Sequence, residues 1–246
     1  MSSTKSPLDL SGRVALITGA GQGVGRAIAL EMAGQNAAGI VINDYFAERA
    51  EAVAEEIRAM GIKAAGITAD VSDLNSVNNM VKQAEAELGP IDILVNDAGN
   101  AGPSGFPSNL PRFWETDPEE WDKWFAVNLY GVLNCCHAVM GGMAERKYGR
   151  IVTIISDAGR LGEAHLATYS AAKAGAAGLM RALAKEAGRY NITANCIALA
   201  GINSPQLAEQ AAGFDPEIAK KMLKGYSIRR LGEPDDISAL VTLLCS

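Results

Sequence analysis

The sequence predicts an α/β protein in which one doubly wound parallel sheet carries helices on both faces. Short apolar runs alternate with helical segments along nearly the whole chain, a pattern typical of right-handed βαβ crossovers. A glycine-rich turn joins the first apolar run to the first helix. The 246 residues, 48% of them hydrophobic, suit a single domain with a substantial core.

The order of the elements follows from apolar runs and from the glycine, proline and capping residues between them. The predicted strands cover 13–17, 39–43, 63–68, 91–95, 149–155 and 192–198. The predicted helices cover 26–33, 46–60, a segment from Ser72 or Asp73 to Leu88, 119–144 (continuous or restarted after 133), 166–190, 216–224 and 234–245. In such a sheet, ligands bind beyond the carboxyl ends of the strands.

Composition and charge narrow the class of protein. The net charge of −6 argues against nucleic acid as a partner. No uncharged apolar run reaches the roughly 18 residues of a membrane span, and the N-terminus lacks the apolar segment of a secretory signal. The four cysteines show no Cys-x-x-Cys spacing, so we expect reduced thiols, no metal site and a cytoplasmic protein. Residues 1–12 are expected to form a disordered or loosely docked arm.

The turn between the first strand and the first helix has the spacing Gly-x-x-x-Gly-x-Gly. Glycines let the backbone approach a diphosphate, and the helix N-terminus offers free N–H groups and a positive dipole. The alternative is a tight turn that needs only a positive φ. The candidate phosphate-binding residues are Gly19, Gln22, Gly23, Val24 and Gly25.

Asp44 ends the second predicted strand, 19 residues after Gly25. An acid at this position can accept both hydroxyls of an adenosine ribose and repels a 2′-phosphate. Gln22 occupies a position where a cation could bind that phosphate, and no cation follows Asp44 until Arg49. These features favour NAD over NADP. The alternative is that Asp44 caps the following helix.

Tyr169 and Lys173 share one face of the long predicted helix. An ammonium near a phenol favours the phenolate, so Tyr169 is expected to have a lowered pKa and to serve as a general acid or base. Ser156 ends the fifth strand, where its hydroxyl could donate to a substrate carbonyl oxygen. The alternatives are a solvated helix face and a simple cap. Small residues between 170 and 178 allow close packing on a cofactor or a partner helix.

Together with Asn-x-Ala-Gly at 96–99 and Asn128, these motifs resemble the short-chain dehydrogenase/reductase family from about residue 11 to the C-terminus. The resemblance implies a Rossmann-type fold, with 13–246 as one dinucleotide-binding and catalytic domain. It implies hydride transfer between a nicotinamide and a secondary alcohol or ketone. Tyr169 would be the acid/base and Ser156 would hold the substrate oxygen.

The resemblance also implies roles for the remaining residues. Lys173 would bind the nicotinamide ribose and lower the pKa of Tyr169, and Asn128 would hold a water that relays protons from Lys173. The other implied cofactor contacts are Asp70 and Val71 at the adenine; Asn96, Ala98 and Gly99 at the adenine-side ribose, where they also brace the sheet; and Gly201 in the nicotinamide pocket.

The chain departs from the family pattern at three places. Asp97 stands where the family usually has a second Asn, and we expect modest local consequences. Leu199-Ala200-Gly201 replaces a Pro-Gly that shapes the nicotinamide pocket. The chain ends at Ser246, before the seventh strand that the family normally adds at a sheet edge. The resemblance implies a homo-oligomer, a dimer or a homotetramer.

The substrate is less well specified than the cofactor. The main hypothesis is a small to medium, partly apolar secondary alcohol or ketone, and the alternatives are a 3-oxoacyl thioester and a catalytically idle nucleotide binder. Walls are expected from 100–114, from 157–165 and from a lid at about 202–230. Arg229 and Arg230 could meet the phosphate of coenzyme A or form surface salt bridges. The candidate apolar lining is Phe106, Phe113, Trp114, Leu161, Leu166 and Leu207.

Overall fold

The computed structural model describes residues 6–100, 110–204, 223–224 and 226–246. One parallel sheet has the strand order β3-β2-β1-β4-β5-β6. The strands are β1 (Val14–Thr18), β2 (Gly39–Asp44), β3 (Lys63–Thr68), β4 (Ile93–Asn96), β5 (Gly149–Ser156) and β6 (Ile192–Leu199). The predicted strands are therefore confirmed to within two residues at each end.

The α-helices alternate with these strands. They are α1 (Gly23–Gly34), α2 (Ala47–Ala59), α3 (Leu74–Leu88), α4 (Trp121–Phe125), α5 (Gly131–Arg146), α6 (Asp157–Leu161), α7 (Ala167–Ala187) and α8 (Asp235–Cys245). Short 3₁₀ segments lie at Phe113–Glu115, Pro118–Glu120 and Gly188–Tyr190. None of the described helices is long and apolar enough to cross a bilayer.

Two apolar layers hold the helices on opposite faces of the sheet, as the doubly wound prediction requires. One buried cluster includes Val77 of α3, Val139 of α5 and Met180 of α7. The other includes Ile28 of α1 and Ile237 of α8, together with residues of α2. Both faces of the central strands are covered, which explains why those strands read as continuous apolar runs.

The strand order changes direction between β1 and β4: β2 and β3 follow β1 on one side of the sheet, and β5 and β6 follow β4 on the other. The two strands are neighbours, and Thr18 is paired with Asn96 at their carboxyl ends. Ser156 at the end of β5 is paired with Leu199 at the end of β6. The polar residues that end these strands therefore meet at one edge, the topological switch point where ligands bind in such sheets.

Several details differ from the sequence predictions. The segment predicted as helical over 119–144, continuous or restarted after 133, is instead interrupted by a π-helical turn at Ala126–Tyr130, and α6 was not predicted. Of the two candidate caps of α3, Asp73 is the one used: its carboxylate accepts from the Asn75 amide at 2.8 Å. In the predicted N-terminal arm, Leu10 is buried and its amide donates to the Gln35 carbonyl. The helix predicted at 216–224 lies outside the described residues except for its last two.

Candidate active site

The glycine turn combines close internal packing with one open position. Gly19 has a φ of +66°, and a Cβ there would lie 2.8 Å from the Ala98 Cα. A Cβ on Gly25 would lie 2.7 Å from the Gly19 carbonyl oxygen. Gly23, with a φ of +58°, has nothing within 4 Å of its Cβ position. The steric reason for glycine therefore holds at Gly19 and Gly25, and the space beside Gly23 is open.

The start of α1 fits a phosphate group. Its N-cap residue, Gln22, makes no side-chain capping hydrogen bond. The Gly25 amide of the first turn is taken by the Asp97 carboxyl, while the helix dipole and the start of the turn at Gly23 favour an anion at this point. The residues present are thus suited to the diphosphate of a dinucleotide, with Gly23 beside it.

Asp44 is buried and links the glycine turn to the residue that precedes α2. One carboxylate oxygen accepts from the Gly21 amide at 3.1 Å, and the other accepts from the Phe46 amide at 3.0 Å. Phe46 is itself the N-cap residue of α2, so Asp44 lies before the cap position and the alternative that it caps this helix is wrong. Arg49 starts close to this acid, since a Cβ on Gly21 would lie 2.6 Å from both the Arg49 Cβ and an Asp44 oxygen. The Arg49 guanidinium, however, lies over the Phe46 ring, 4.4 Å from its centroid.

Tyr169 lies beside Ser156, whose side chain is hydrogen-bonded to it. The Tyr169 ring packs edge-on against Trp124, with centroids 5.9 Å apart. Ser156 also caps α6, because its Oγ accepts from the Ala158 amide at 3.2 Å. The two alternatives considered for Ser156, cap and site residue, are therefore compatible.

The pKa of Tyr169 is raised, whereas the sequence predicted that it would be lowered. Burial raises it above the ordinary value, the Ser156 hydrogen bond lowers it, and the charge of Asp97 raises it. The lowering of the Tyr169 pKa that we expected from Lys173 is not found. Burial is the larger effect, and the spacing of two residues on a helix does not reveal it.

Lys173 is 5% exposed, and its ammonium donates to the Ile154 carbonyl at 3.1 Å. Burial lowers its pKa to about 8, against the opposing influence of Asp97. Its Nζ lies 5.9 Å from the centre of the Tyr169 ring. The two residues predicted from the Tyr-x-x-x-Lys spacing are therefore brought together.

Asn128 lies on the π-helical turn and is fully buried. Its amide nitrogen donates to the carbonyl oxygens of Asn100 at 2.8 Å and Trp124 at 3.0 Å. Its Oδ1 lies 3.0 Å, and the Lys173 Nζ 3.1 Å, from the position that a Cβ on Gly99 would occupy. Asn128 and Lys173 thus converge on Gly99. π-Helical turns are frequent at functional sites, and this one was not predicted.

Thr18 and Asp97 are site residues whose importance the sequence analysis did not predict. The Thr18 hydroxyl accepts from the amides of Asp97 at 3.2 Å and Ala98 at 3.1 Å, which fixes 97–99 against the glycine turn. The Asp97 carboxyl accepts from the Gly25 amide, and burial raises its pKa to about 7. We expected Asp97 to have modest local consequences, but its carboxyl lies close to both the glycine turn and Lys173.

The other predicted cofactor residues lie at the same edge. Asp70 accepts from the Ser72 amide at 2.9 Å, and Val71 packs against Gly131. Asn96 braces the sheet by donating to the Thr153 hydroxyl at 3.1 Å, but its own Oδ1 is buried without a partner. The Gly201 amide donates to the Tyr226 hydroxyl at 3.1 Å, a contact that the sequence did not suggest.

The small residues of α7 contact other parts of the same chain. A Cβ on Gly175 would lie 3.2 Å from Leu129 of the π-helical turn. A Cβ on Gly159 of α6 would lie 2.6 Å from the Lys173 Cβ. These contacts hold α7 close to α6 and to the Asn128 turn.

The described part of the predicted substrate wall exposes large apolar groups. Trp114 is 75% exposed and Leu161 is 72% exposed, whereas Leu166 is buried. His165 contacts the Pro111 carbonyl oxygen at 3.2 Å, which links the segment around Trp114 to the one preceding Tyr169. Arg230 pairs with Asp236, which fits the salt-bridge alternative for that residue. Phe106, Leu207 and most of the predicted lid lie outside the described residues.

The family follows from comparison with known proteins. The model described as short chain dehydrogenase matches residues 13–213. Subunit BbsD of (2S)-[(R)-hydroxy(phenyl)methyl]succinyl-CoA dehydrogenase from Thauera aromatica is 42% identical, over 96% of this chain and 90% of that protein. The 3-oxoacyl-[acyl-carrier-protein] reductase FabG of Pseudomonas aeruginosa is 36% identical, over 97% and 92%.

Solved structures agree with this result. 7α-Hydroxysteroid dehydrogenase, complexed with NADH and 7-oxo glycochenodeoxycholic acid, superimposes with a TM-score of 0.87 at 32% identity, covering 98% of this chain and 89% of that one. Gluconate 5-dehydrogenase from Burkholderia cenocepacia, in complex with NADP and tartrate, gives a TM-score of 0.86 at 32% identity, covering 97% and 89%. The chain belongs to the short-chain dehydrogenase family and is an oxidoreductase that uses a nicotinamide cofactor.

Proposed function

We propose that this protein is an NAD-dependent oxidoreductase that interconverts a secondary alcohol and a ketone, with Tyr169 as the general acid/base. The observation that carries the proposal is the convergence of Tyr169, Ser156, Lys173 and Asn128 at the switch-point edge of the sheet. A protein that only bound a nucleotide would need the glycine turn but not these four residues. Their arrangement therefore favours catalysis over the idle-binder alternative.

The chemistry assigned to the chain is a proton transfer beside a hydride transfer. A bound nicotinamide supplies or accepts the hydride. Tyr169, a phenol whose pKa is raised by burial, gives its proton to the oxygen of a ketone, and the reverse step takes that proton from the alcohol. The Ser156 hydroxyl donates to the same oxygen and stabilises its developing charge.

Lys173 supplies the proton that replaces the one Tyr169 loses, and Asn128 helps to position the path to solvent. With a pKa of about 8, Lys173 can exchange protons near neutral pH. Asn128 holds the loop at Asn100 through both oxygen and nitrogen of its amide. We propose that this loop and Asn128 position a water between Lys173 and solvent.

The substrate class that we place first for testing is a 3-oxoacyl or 3-hydroxyacyl thioester. The names of the two relatives refer to acyl groups on coenzyme A and on acyl carrier protein. The exposed Trp114, with the Arg112 guanidinium 5.6 Å from its ring centre, offers an apolar and cationic surface beside the substrate wall. Such a surface suits a long thioester carrier better than it suits a small free ketone.

A substrate panel tests this function. We expect oxidation of NADH by acetoacetyl-CoA and by apolar ketones, followed through nicotinamide absorbance, with a higher kcat/KM for the thioester. NADPH is assayed separately. Cofactor binding without turnover of any ketone or alcohol would instead support the idle binder, and a higher kcat/KM for free ketones would limit the enzyme to those.

Asp44→Asn tests the preference for NAD. The variant removes the charge that would bind the ribose hydroxyls and repel a 2′-phosphate, while one acceptor remains for Phe46. Hydrogen bonds to charged groups contribute about 1.5–3 kcal/mol, so the ratio of NADH to NADPH affinity should fall by roughly 10- to 100-fold. The readout is the Kd of each cofactor by fluorescence titration. A wild-type protein that prefers NADPH would contradict the role given to Asp44.

We also propose a cytoplasmic location and a homo-oligomer of two or four chains. Burial raises the pKa of Cys136 to about 12 and keeps Cys135 protonated as well, which suits unreactive thiols in a reducing compartment. Solution scattering would decide the oligomer, and a monomer at working concentrations would rule it out.

A further inference from the structure

Asp97 follows β4 and is held from two directions. Its amide and that of Ala98 both donate to the hydroxyl of Thr18, which is 1% exposed. A Cβ on Gly19 would lie 3.3 Å from the Asp97 carbonyl carbon. The backbone at 97 is therefore fixed by β1 and by the glycine turn, and the direction of its side chain is set by the fold.

The carboxyl group of Asp97 lies under the first turn of α1. One of its oxygens is 2.8 Å from the Cβ position of Gly25, and the Gly25 amide donates to it. The turn that begins at Gly23 thus has a carboxyl on its inner side. Its outer side, beside Gly23, is open. An anion bound on the outer side would share this turn with Asp97.

The charged and titratable groups around Asp97 come mainly from α7. Lys173 lies behind Gly99 and interacts favourably with the carboxylate, and Tyr169 is made less acidic by it. On α1 the nearest charged residue in sequence is Arg26, which pairs with Glu56 at the surface. Cys196 interacts with Lys173. Asp97 is therefore a buried acid between a phosphate-binding turn and the catalytic lysine.

We infer that Asp97 couples cofactor binding to proton uptake. Negative charge bound at the first turn of α1 would favour the protonated form of the Asp97 carboxyl. The inference rests on the proposed use of the glycine turn for the cofactor diphosphate. An asparagine at 97 could accept the same Gly25 hydrogen bond but could not titrate. The carboxyl thus adds a pH response that an amide would not provide.

The sign of the effect follows from electrostatics. The free protein has a pKa of about 7 at Asp97, and a nearby diphosphate raises the pKa of a carboxyl further. The complex therefore holds more protons than the free protein around neutral pH, and the affinity for NADH falls as pH rises from about 6 to 8. If the pKa rises by about half to one pH unit, Kd increases by about 2.5- to fivefold across that range.

Isothermal titration calorimetry with NADH, in buffers of different ionisation enthalpy, measures both Kd and the protons taken up. Wild-type protein should take up a fraction of a proton near pH 7, and Asp97→Asn should lose that fraction. Lys173→Met keeps the acid and loses its positive neighbour, so its uptake should persist at higher pH. Asp92→Asn, which removes a carboxyl at the opposite edge of the sheet beside Arg13, should match wild type.

Equal proton uptake and equal pH dependence of Kd in wild type and Asp97→Asn would overturn the inference. Loss of the uptake in Lys173→Met, with its retention in Asp97→Asn, would assign the proton to the lysine and overturn it as well. A wild-type protein that binds neither NADH nor NADPH would instead overturn the proposed function, on which the inference rests.

Discussion

Tyr169→Phe is expected to lower kcat by about 10²- to 10⁴-fold, the range that a positioned general acid contributes. The variant keeps the ring that packs edge-on against Trp124 and removes only the hydroxyl that Ser156 contacts. The affinity for NADH should stay within about twofold, because the phenol acts on the substrate oxygen and a lost neutral hydrogen bond contributes little to binding. Steady-state kinetics and a cofactor titration on the same preparation measure both quantities.

Tyr190→Phe is the matched control, since Tyr190 follows α7 at the end remote from the site. It should retain wild-type kcat. If Tyr169→Phe also kept a kcat near that of wild type, the assignment of the acid/base would be wrong. A loss of NADH affinity as large as the loss of kcat would show that the residue supports the fold or the cofactor rather than the chemistry.

Gly19→Ala is expected to produce the largest loss of stability in the glycine turn. The residue has a φ of +66°, and the new Cβ would lie 2.8 Å from the Ala98 Cα and 2.9 Å from its nitrogen. A left-handed non-glycine residue costs about 1–2 kcal/mol, and overpacking costs typically about 1–3 kcal/mol. The free energy of unfolding should therefore fall by about 2–5 kcal/mol, as measured by urea unfolding of the cofactor-free protein.

Gly23→Ala separates the two contributions. Gly23 has a similar φ of +58° but nothing within 4 Å of its Cβ position, so only the backbone term of about 1–2 kcal/mol applies. Its effect should instead be seen in weaker NADH binding, because the new methyl group enters the open space beside the turn. Equal stability losses in the two variants would contradict the close contact between Gly19 and Ala98.

Much of the fold could be predicted because each strand is a short apolar run with a clear stop. Lys63–Thr68 was predicted with the bounds that the structure has. Gly61 ends the preceding helix at a φ of +85°, a conformation that glycine adopts without strain. The interruption at 126–130 was not predicted, since the only restart considered was after 133. The π-helical turn contacts Asn100 and α7, which are distant from it in sequence.

The site was predictable in its residue types but not in its electrostatics. Ser156, Tyr169 and Lys173 follow from spacing and from their places at strand ends or on one helix face. The pKa of Tyr169 is raised rather than lowered, because it depends on burial by Trp124 and on Asp97, which are distant in sequence. The raised pKa of Asp97 was not predictable either, because its neighbours Gly25 and Lys173 come from separate elements.

The most direct test of the account is the transfer of deuterium from NADH labelled at the transferable C4 position. With acetoacetyl-CoA or an apolar ketone, the product alcohol is predicted to carry deuterium on its carbinol carbon. Tyr169→Phe should form the labelled alcohol about 10²- to 10⁴-fold more slowly under the same conditions. Wild-type protein that binds NADH yet moves no deuterium into any of these substrates would contradict the assignment of a hydride-transfer site to this chain.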